Sequence, residues 1–196
     1  MVGSWQSRFL LLAFVVSVPI LAQTSAMDPA LLAKASAGDS KAQVAVGEFY
    51  AHLAASEPDT DRAATDYQQA VGWYRKAADQ ANIAAEIHLA DLFRDGQGVL
   101  RDRTQAAAWY RKAADQGDSG AQGTLGVLYS YGQGVPQDDA EAYFWFDLAA
   151  AVDGPNQQKY VANRQAVGMR ITAEELAQEH VRMKKWKAAH PNPAPK

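Results

Sequence analysis

The run Trp73-Tyr74-Arg75-Lys76-Ala77-Ala78-Asp79-Gln80 returns unchanged as Trp109-Tyr110-Arg111-Lys112-Ala113-Ala114-Asp115-Gln116, 36 residues further along the chain. A second step of 36 reaches Trp145-Phe146-Asp147-Leu148-Ala149-Ala150, and Asp95-Gly96-Gln97-Gly98-Val99 recurs as Tyr131-Gly132-Gln133-Gly134-Val135. A period of this length means stacked supersecondary units, each burying its apolar face against its neighbours, in place of one closed core.

The recurring positions are those that helix packing demands. Ala85, Leu89, Ala90 and Phe93 recur as Ala121, Leu125, Gly126 and Tyr129, and Ala42, Val46, Gly47 and Tyr50 form an earlier copy. Their i, i+4, i+5, i+8 spacing lies on one face of a first helix, with a small residue where a neighbour must come close. Ala106, Trp109, Tyr110, Ala113 and Ala114 recur as Ala142, Trp145, Phe146, Ala149 and Ala150 and make the apolar stripe of a second helix. Asp102 with Gln105, and Asp138 with Glu141, have the spacing of capping boxes at the start of that second helix. Gly96-Gln97-Gly98 and Gly132-Gln133-Gly134 lie between the helices, where positive φ favours glycine. No strand or Walker context surrounds them, so they read as turns and not as a phosphate cradle.

One copy departs from the rest. From Tyr50 to Asp66 is seven residues longer than from Phe93 to Asp102, and the Gly-x-Gly-Val turn is replaced by a polar stretch containing Glu57-Pro58-Asp59-Thr60-Asp61. This reads as an inserted loop, which is either a tolerated solvated insertion or a second binding element.

The pattern Ala-x-x-x-Leu-Gly-x-x-Tyr, then Gly-x-Gly-Val, Asp and Ala-x-x-Trp-Tyr-x-Lys-Ala-Ala resembles the Sel1-like repeat, a relative of the tetratricopeptide repeat. Ala121 to Ala150 follows it almost throughout, and the likeness runs from about Ala42 to Ala151. The resemblance implies an all-α, right-handed solenoid of helix-turn-helix repeats that binds other proteins and has no common catalytic residue. With tetratricopeptide geometry, first-helix positions around the recurring Leu and just past the recurring Tyr line a concave groove. Those residues are Val44, Glu48, Ala51 and His52, then Ile87, Asp91, Arg94 and Asp95, then Gly123, Val127, Ser130 and Tyr131. They vary between copies while the packing positions do not. Positions free of packing duty are available to a partner, although any one of them is equally well an ordinary solvated residue.

The ends have their own logic. Arg8 precedes an apolar run from Phe9 to Val16 that weakens toward Leu21, with Pro19 and small residues after it. The run is shorter than the ~20 residues a spanning helix needs, and its flanks suit a secretory signal better than an uncleaved anchor. We expect residues 1–26 to be a signal peptide, cut after Ala22 or Ala26, which places the mature protein in the periplasm of a Gram-negative bacterium. The solenoid then occupies 27–189, with repeats at about 40–82, 83–118 and 119–153. Asp28-Pro29 opens a short helix to Ala37 that caps the N-terminal end. Capping helices at 155–189 close the other end, the last begun by the capping box Thr172 and Glu175. In all about nine helices and no strands are expected, followed by a disordered tail at 190–196.

The chain has no Cys, which removes disulfides, thiol nucleophiles, thiolate metal sites and a lipidated-Cys anchor. Its formal net charge of −3 and interleaved basic residues speak against nucleic acid. His52, His88, His180 and His190 stand in different elements with no ligand spacing around them, so neither a metal site nor any other cofactor is expected. No nucleophile and base stand in a recognisable motif, and the carboxylate pairs Glu174-Glu175 and Asp138-Asp139 suit helix N-termini. The expected function is therefore non-catalytic: an envelope scaffold or adaptor that holds a protein or peptide in the groove. Two alternatives come with the resemblance. One is an immunity protein against a secreted, phospholipase-type toxin. The other is a cell-wall or β-lactam hydrolase, which is disfavoured because such members are rich in Cys.

Overall fold

The computed structural model describes residues 27–190; the expected signal peptide and the expected disordered segment from Pro191 onward lie outside them. The described chain is nine α-helices and no strand: α1 (Pro29–Ser36), α2 (Ser40–Ser56), α3 (Thr60–Ala78), α4 (Ile83–Asp95), α5 (Arg103–Asp115), α6 (Ser119–Tyr131), α7 (Asp139–Ala150), α8 (Gln157–Gly168) and α9 (Ala173–Ala189). From α1 to α8 each helix packs on the next in order, and α9 returns to lie on α7. Three hairpins, α2/α3, α4/α5 and α6/α7, are the repeats, between α1 at one end and α8 with α9 at the other.

The hairpins are set by a close approach of one aromatic ring to one small residue. A Cβ built on Gly47 would sit 2.5 Å from the Tyr74 ring, and one on Gly126 would sit 2.8 Å from Phe146. In the middle repeat Ala90 and Tyr110, at the same two positions, are both buried in one cluster with Leu125 and Trp145. The rings of Tyr74, Tyr110 and Phe146 are each about 2 % exposed. Each such ring contributes ~2–3 kcal/mol of burial, available only where the facing helix carries almost no side chain.

The seven extra residues of the first repeat do not form a loop. They lengthen both helices, α2 to 17 residues and α3 to 19, against 13 for α4 and α5. Only Glu57, Pro58 and Asp59 separate α2 from α3, and the Asp59 carboxylate caps α3 by accepting from Asp61 and Arg62 backbone N–H groups. The polar composition that reads as a loop is that of solvated helix, with Asp61, Arg62, Ala64 and Thr65 exposed.

The capping boxes expected at Asp102 and Asp138 are one-sided. Each Asp side chain accepts the N3 backbone N–H, at 2.9 Å. Their own backbone N–H groups, which a reciprocal box would use, already donate to Phe93 O at 2.9 Å and Tyr129 O at 3.0 Å. Glu141 is free to turn elsewhere: it accepts from Trp145 Nε1 at 3.0 Å and pairs with Arg182 of α9 at 2.7 Å. Arg182 also lies over the Phe144 ring at 4.0 Å, so one residue fastens α9 by charge and by cation–π contact. Only Thr172 and Glu175 form the full reciprocal box.

A buried polar position recurs in the three repeats. Gln43, Glu86 and Gln122 occupy one position of the three first helices and are each under 5 % exposed. Gln43 Nε2 donates to Ala35 O and Gln122 Nε2 to Ala114 O, both at 3.1 Å, tying each first helix to the helix before it. A glutamine from the end of the second helix completes the rung: Gln80 Nε2 donates to Gln43 Oε1 at 2.8 Å, and Gln116 Nε2 to Glu86 Oε2 at 2.7 Å. The third rung lacks this donor because Val152 stands where the glutamine recurs, and Gln122 Oε1 is left buried without a partner.

Two predictions arise here. Ala81 holds φ of 56°, in the left-handed region, where the equivalent turns have Gly38 and Gly117. Ala81→Gly is therefore expected to gain about 1 kcal/mol, a rise of ~2–4 °C in melting temperature by calorimetry. Glu86 is the one carboxylate at the recurring buried polar position, and its pKa is raised by burial, opposed by Lys112 and the Gln116 hydrogen bond. Because the folded state holds this proton more tightly than the unfolded chain, ionisation removes stability as pH rises above the ordinary glutamate range. Glu86→Gln avoids that loss and supplies the donor that Gln43 and Gln122 use. It should stabilise by about 1 kcal/mol at pH 7, a gain that shrinks toward pH 4 in chemical denaturation.

Candidate functional site

The expected groove is open at one end and closed at the other. Glu48, Ala51 and His52 of α2 and Asp91 of α4 line a cleft of about 340 Å³, together with Ala55, Tyr67, Tyr74, His88, Leu92 and Gln97. The extra turn of α2 contributes Ala55, so the lengthened first hairpin deepens this end. His88 reaches across the cleft from α4: its Nε2 lies 3.3 Å from Glu48 Oε1, and its ring stacks on Tyr74 with centroids 4.7 Å apart. Gln97, in the turn after α4, donates to the Tyr67 hydroxyl at 3.1 Å and closes the far wall. That turn is pressed on α3: a Cβ at Gly98 would lie 2.5 Å from the Tyr67 backbone.

Arg94 and Asp95 sit beside the cleft in a charged cluster. Arg94 pairs with Asp91 at 2.7 Å and Asp95 at 2.7 Å, and its Nη1 donates to the Tyr110 hydroxyl at 2.8 Å. That hydroxyl in turn donates to Asp91. Hydrogen bonding to Asp95 is the main reason the Arg94 pKa rises, and the same bond holds the Asp95 carboxyl below the usual carboxylate range. Burial first, then the bond to Asp91, pushes the Tyr110 phenol up.

The remaining groove positions divide. Val44 is buried against α3 and α4, and Ile87 is half-buried against the core of the second and third repeats. Tyr131 is 71 % exposed. The C-terminal cap covers the others: Val127 packs with Phe146, Tyr160 and Val167, and Ser130 accepts from Arg170 Nη2 at 2.9 Å. The Tyr160 ring lies against Gly123, filling the space a side chain would need. These three positions therefore serve the stacking of α8, because the cap helix occupies the place that the next repeat's first helix would take.

Tyr67, Tyr74, His88 and Gln97 escaped the sequence reasoning. Tyr74 reads as packing because its ring is packing, and only its hydroxyl faces the cleft. The available signal is a difference between copies: where the second repeat has Arg94, the first has Ala51.

The Sel1 repeat model matches residues 40–82, 83–118 and 120–152. The chain belongs to the Sel1 repeat family. It is similar to the crystal structure of a protective antigen present in uropathogenic Escherichia coli strains, with 34 % identity and a TM-score of 0.68 over 82 % of this chain and 32 % of that one. It therefore spans about a third of the length of that relative. A Sel1 repeat protein from Oxalobacter formigenes is similar at 30 % identity and a TM-score of 0.57, over 68 % of this chain and 96 % of that one. No curated protein matches the chain. Sel1 repeats are helical modules that typically act as protein-interaction scaffolds and are generally non-catalytic. No helix of the described residues is long and apolar enough to cross a membrane.

Gly123 separates the two parts of this Sel1 groove. Gly123→Leu is expected to expel Tyr160 and loosen α8, costing about 1–3 kcal/mol. Faster amide exchange confined to α8 and its neighbours would show it, whereas an open groove position would leave exchange unchanged.

Proposed function

We propose that this protein is a non-catalytic interaction module of the bacterial envelope, which holds a protein or peptide partner in the concave cleft between its first and second repeats. The observation that carries this reading is the contrast along the groove. Around Glu48, His52, His88 and Asp91 the variable positions remain accessible. At Gly123, Val127 and Ser130 the chain's own cap has taken them. A surface left uncovered at one end and covered at the other is available for a partner where it is uncovered.

The apolar leader supports export, and we place the working protein in the periplasm, as a scaffold or adaptor. Similarity to a protective antigen suits an exported protein. With a cleft of about 340 Å³, the binding unit is a short segment or a protruding side chain of the partner and not a broad flat face.

The test is affinity capture from the envelope fraction with the tagged protein and a Glu48→Ala/His52→Ala variant in parallel. Both side chains are exposed, so helix content and melting should not change. One or a few proteins retained by the parent should be lost by about tenfold or more in the variant, since a few residues dominate a small interface. Equal capture by both would overturn the groove assignment.

A further inference from the structure

The three repeats handle one position differently. In the second, Asp91, Asp95 and the Tyr110 hydroxyl converge on the guanidinium of Arg94. In the third, the tyrosine is Phe146, and Arg170 reaches in from beyond α8 to bond Ser130, the equivalent of Arg94, while pairing with Asp139. Both repeats thus hold an arginine at that point of the groove, one from the same helix and one from the cap.

The first repeat keeps two of these three receptor groups, has His52 at the position of Asp95, and lacks the arginine. Glu48 stands at the position of Asp91, and Tyr74 at that of Tyr110. The position of Arg94 is Ala51, and the space beside it is the open cleft of about 340 Å³. Tyr74 is 2 % exposed, it lines this cleft, and its hydroxyl has no hydrogen-bond partner among the described residues, whereas Tyr110 has two. The Tyr74 ring is buried as packing while its hydroxyl opens on the cleft, where an incoming donor can reach it.

We infer that this cleft is an arginine-binding site, which receives the guanidinium of an arginine side chain presented by the partner in the place that Arg94 and Arg170 fill in the other repeats. The Glu48 carboxylate is its ion-pair partner. The Tyr74 hydroxyl accepts one N–H, as Tyr110 does from Arg94. Ala51, Ala55 and Leu92 give the aliphatic stem an apolar wall. The His88 imidazole beside Glu48 orients that carboxylate without filling the cleft. Arginine fits better than lysine because its fork can bond carboxylate and phenol at once, and its flat face can lie on the Tyr67 side of the cleft.

This inference rests on the groove reading above and narrows it to a side chain. It is tested by NMR titration of the isotope-labelled protein with the capped peptide Gly-Arg-Gly, and with its lysine and citrulline counterparts. Citrulline keeps the shape and loses the charge. The expected result is saturable shifts at Ala51, Tyr74 and His88 with the arginine peptide, and about tenfold weaker binding of the citrulline peptide. Ala51→Arg, which refills the cleft from within, should remove the shifts. Glu48→Gln, a gentler change, should weaken binding by at least about fivefold, and it decides the matter if Ala51→Arg does not fold. Equal binding of arginine and citrulline peptides, shifts elsewhere, or unaltered binding by Glu48→Gln would overturn the arginine site. If the arginine peptide fails while the Glu48→Ala/His52→Ala variant still loses its captured partner, the groove reading survives and only the arginine assignment falls.

Discussion

Everything in this molecule depends on two helices coming close enough for an aromatic ring of one to lie directly on the backbone of the other. Gly47 under Tyr74 and Gly126 under Phe146 let the two helices of a hairpin come close, and the three hairpins stack in chain order. Packing of this kind has two discrete outcomes, seated or expelled, because interiors are close-packed and do not deform gradually. With no disulfide in the chain, this contact, repeated, supplies the rigidity that a groove needs. Gln122 then ties the third hairpin to the second through Ala114 O, as Gln43 ties the first to α1 through Ala35 O.

The ring that seats the hairpin also carries a hydroxyl, and the repeats use it differently. Tyr110 spends it on Asp91 and Arg94, Phe146 has none, and Tyr74 leaves it facing the cleft. Structural and recognition duties therefore meet in one side chain, with the ring serving the first and the oxygen available for the second. A solenoid can vary its recognition surface in this way without disturbing its packing, since only the outer atoms change from copy to copy.

Much of the fold was legible in the sequence because each requirement leaves a periodic trace. The 36-residue step, the aromatic stripe and the Asp caps locate the three hairpins, and Thr172 with Glu175 locates the last helix. What was misread concerned context. The Glu57 to Asp61 stretch has the composition of a loop, yet α2 and α3 continue through most of it, since solvated helix and solvated loop share the same polar residues. The boxes at Asp102 and Asp138 have the right spacing but lack a free backbone N–H, which is committed to a helix that the local sequence does not mention. Of the ten residues lining the cleft, Glu48, Ala51, His52 and Asp91 were visible as variable positions. The role of Gly123, Val127 and Ser130 was not, because it depends on where a degenerate helix with no repeat signature comes to rest.

The orphaned oxygen of Gln122 marks the end of the array. Gln80 and Gln116 complete the rungs inside the first two hairpins, and at Val152 the third is left without its donor. The last hairpin is thus the one whose two helices lack this polar tie, and it is the one that α8 and α9 cover. The residue at this joint therefore distinguishes the last hairpin from the two before it, which the 36-residue step alone does not.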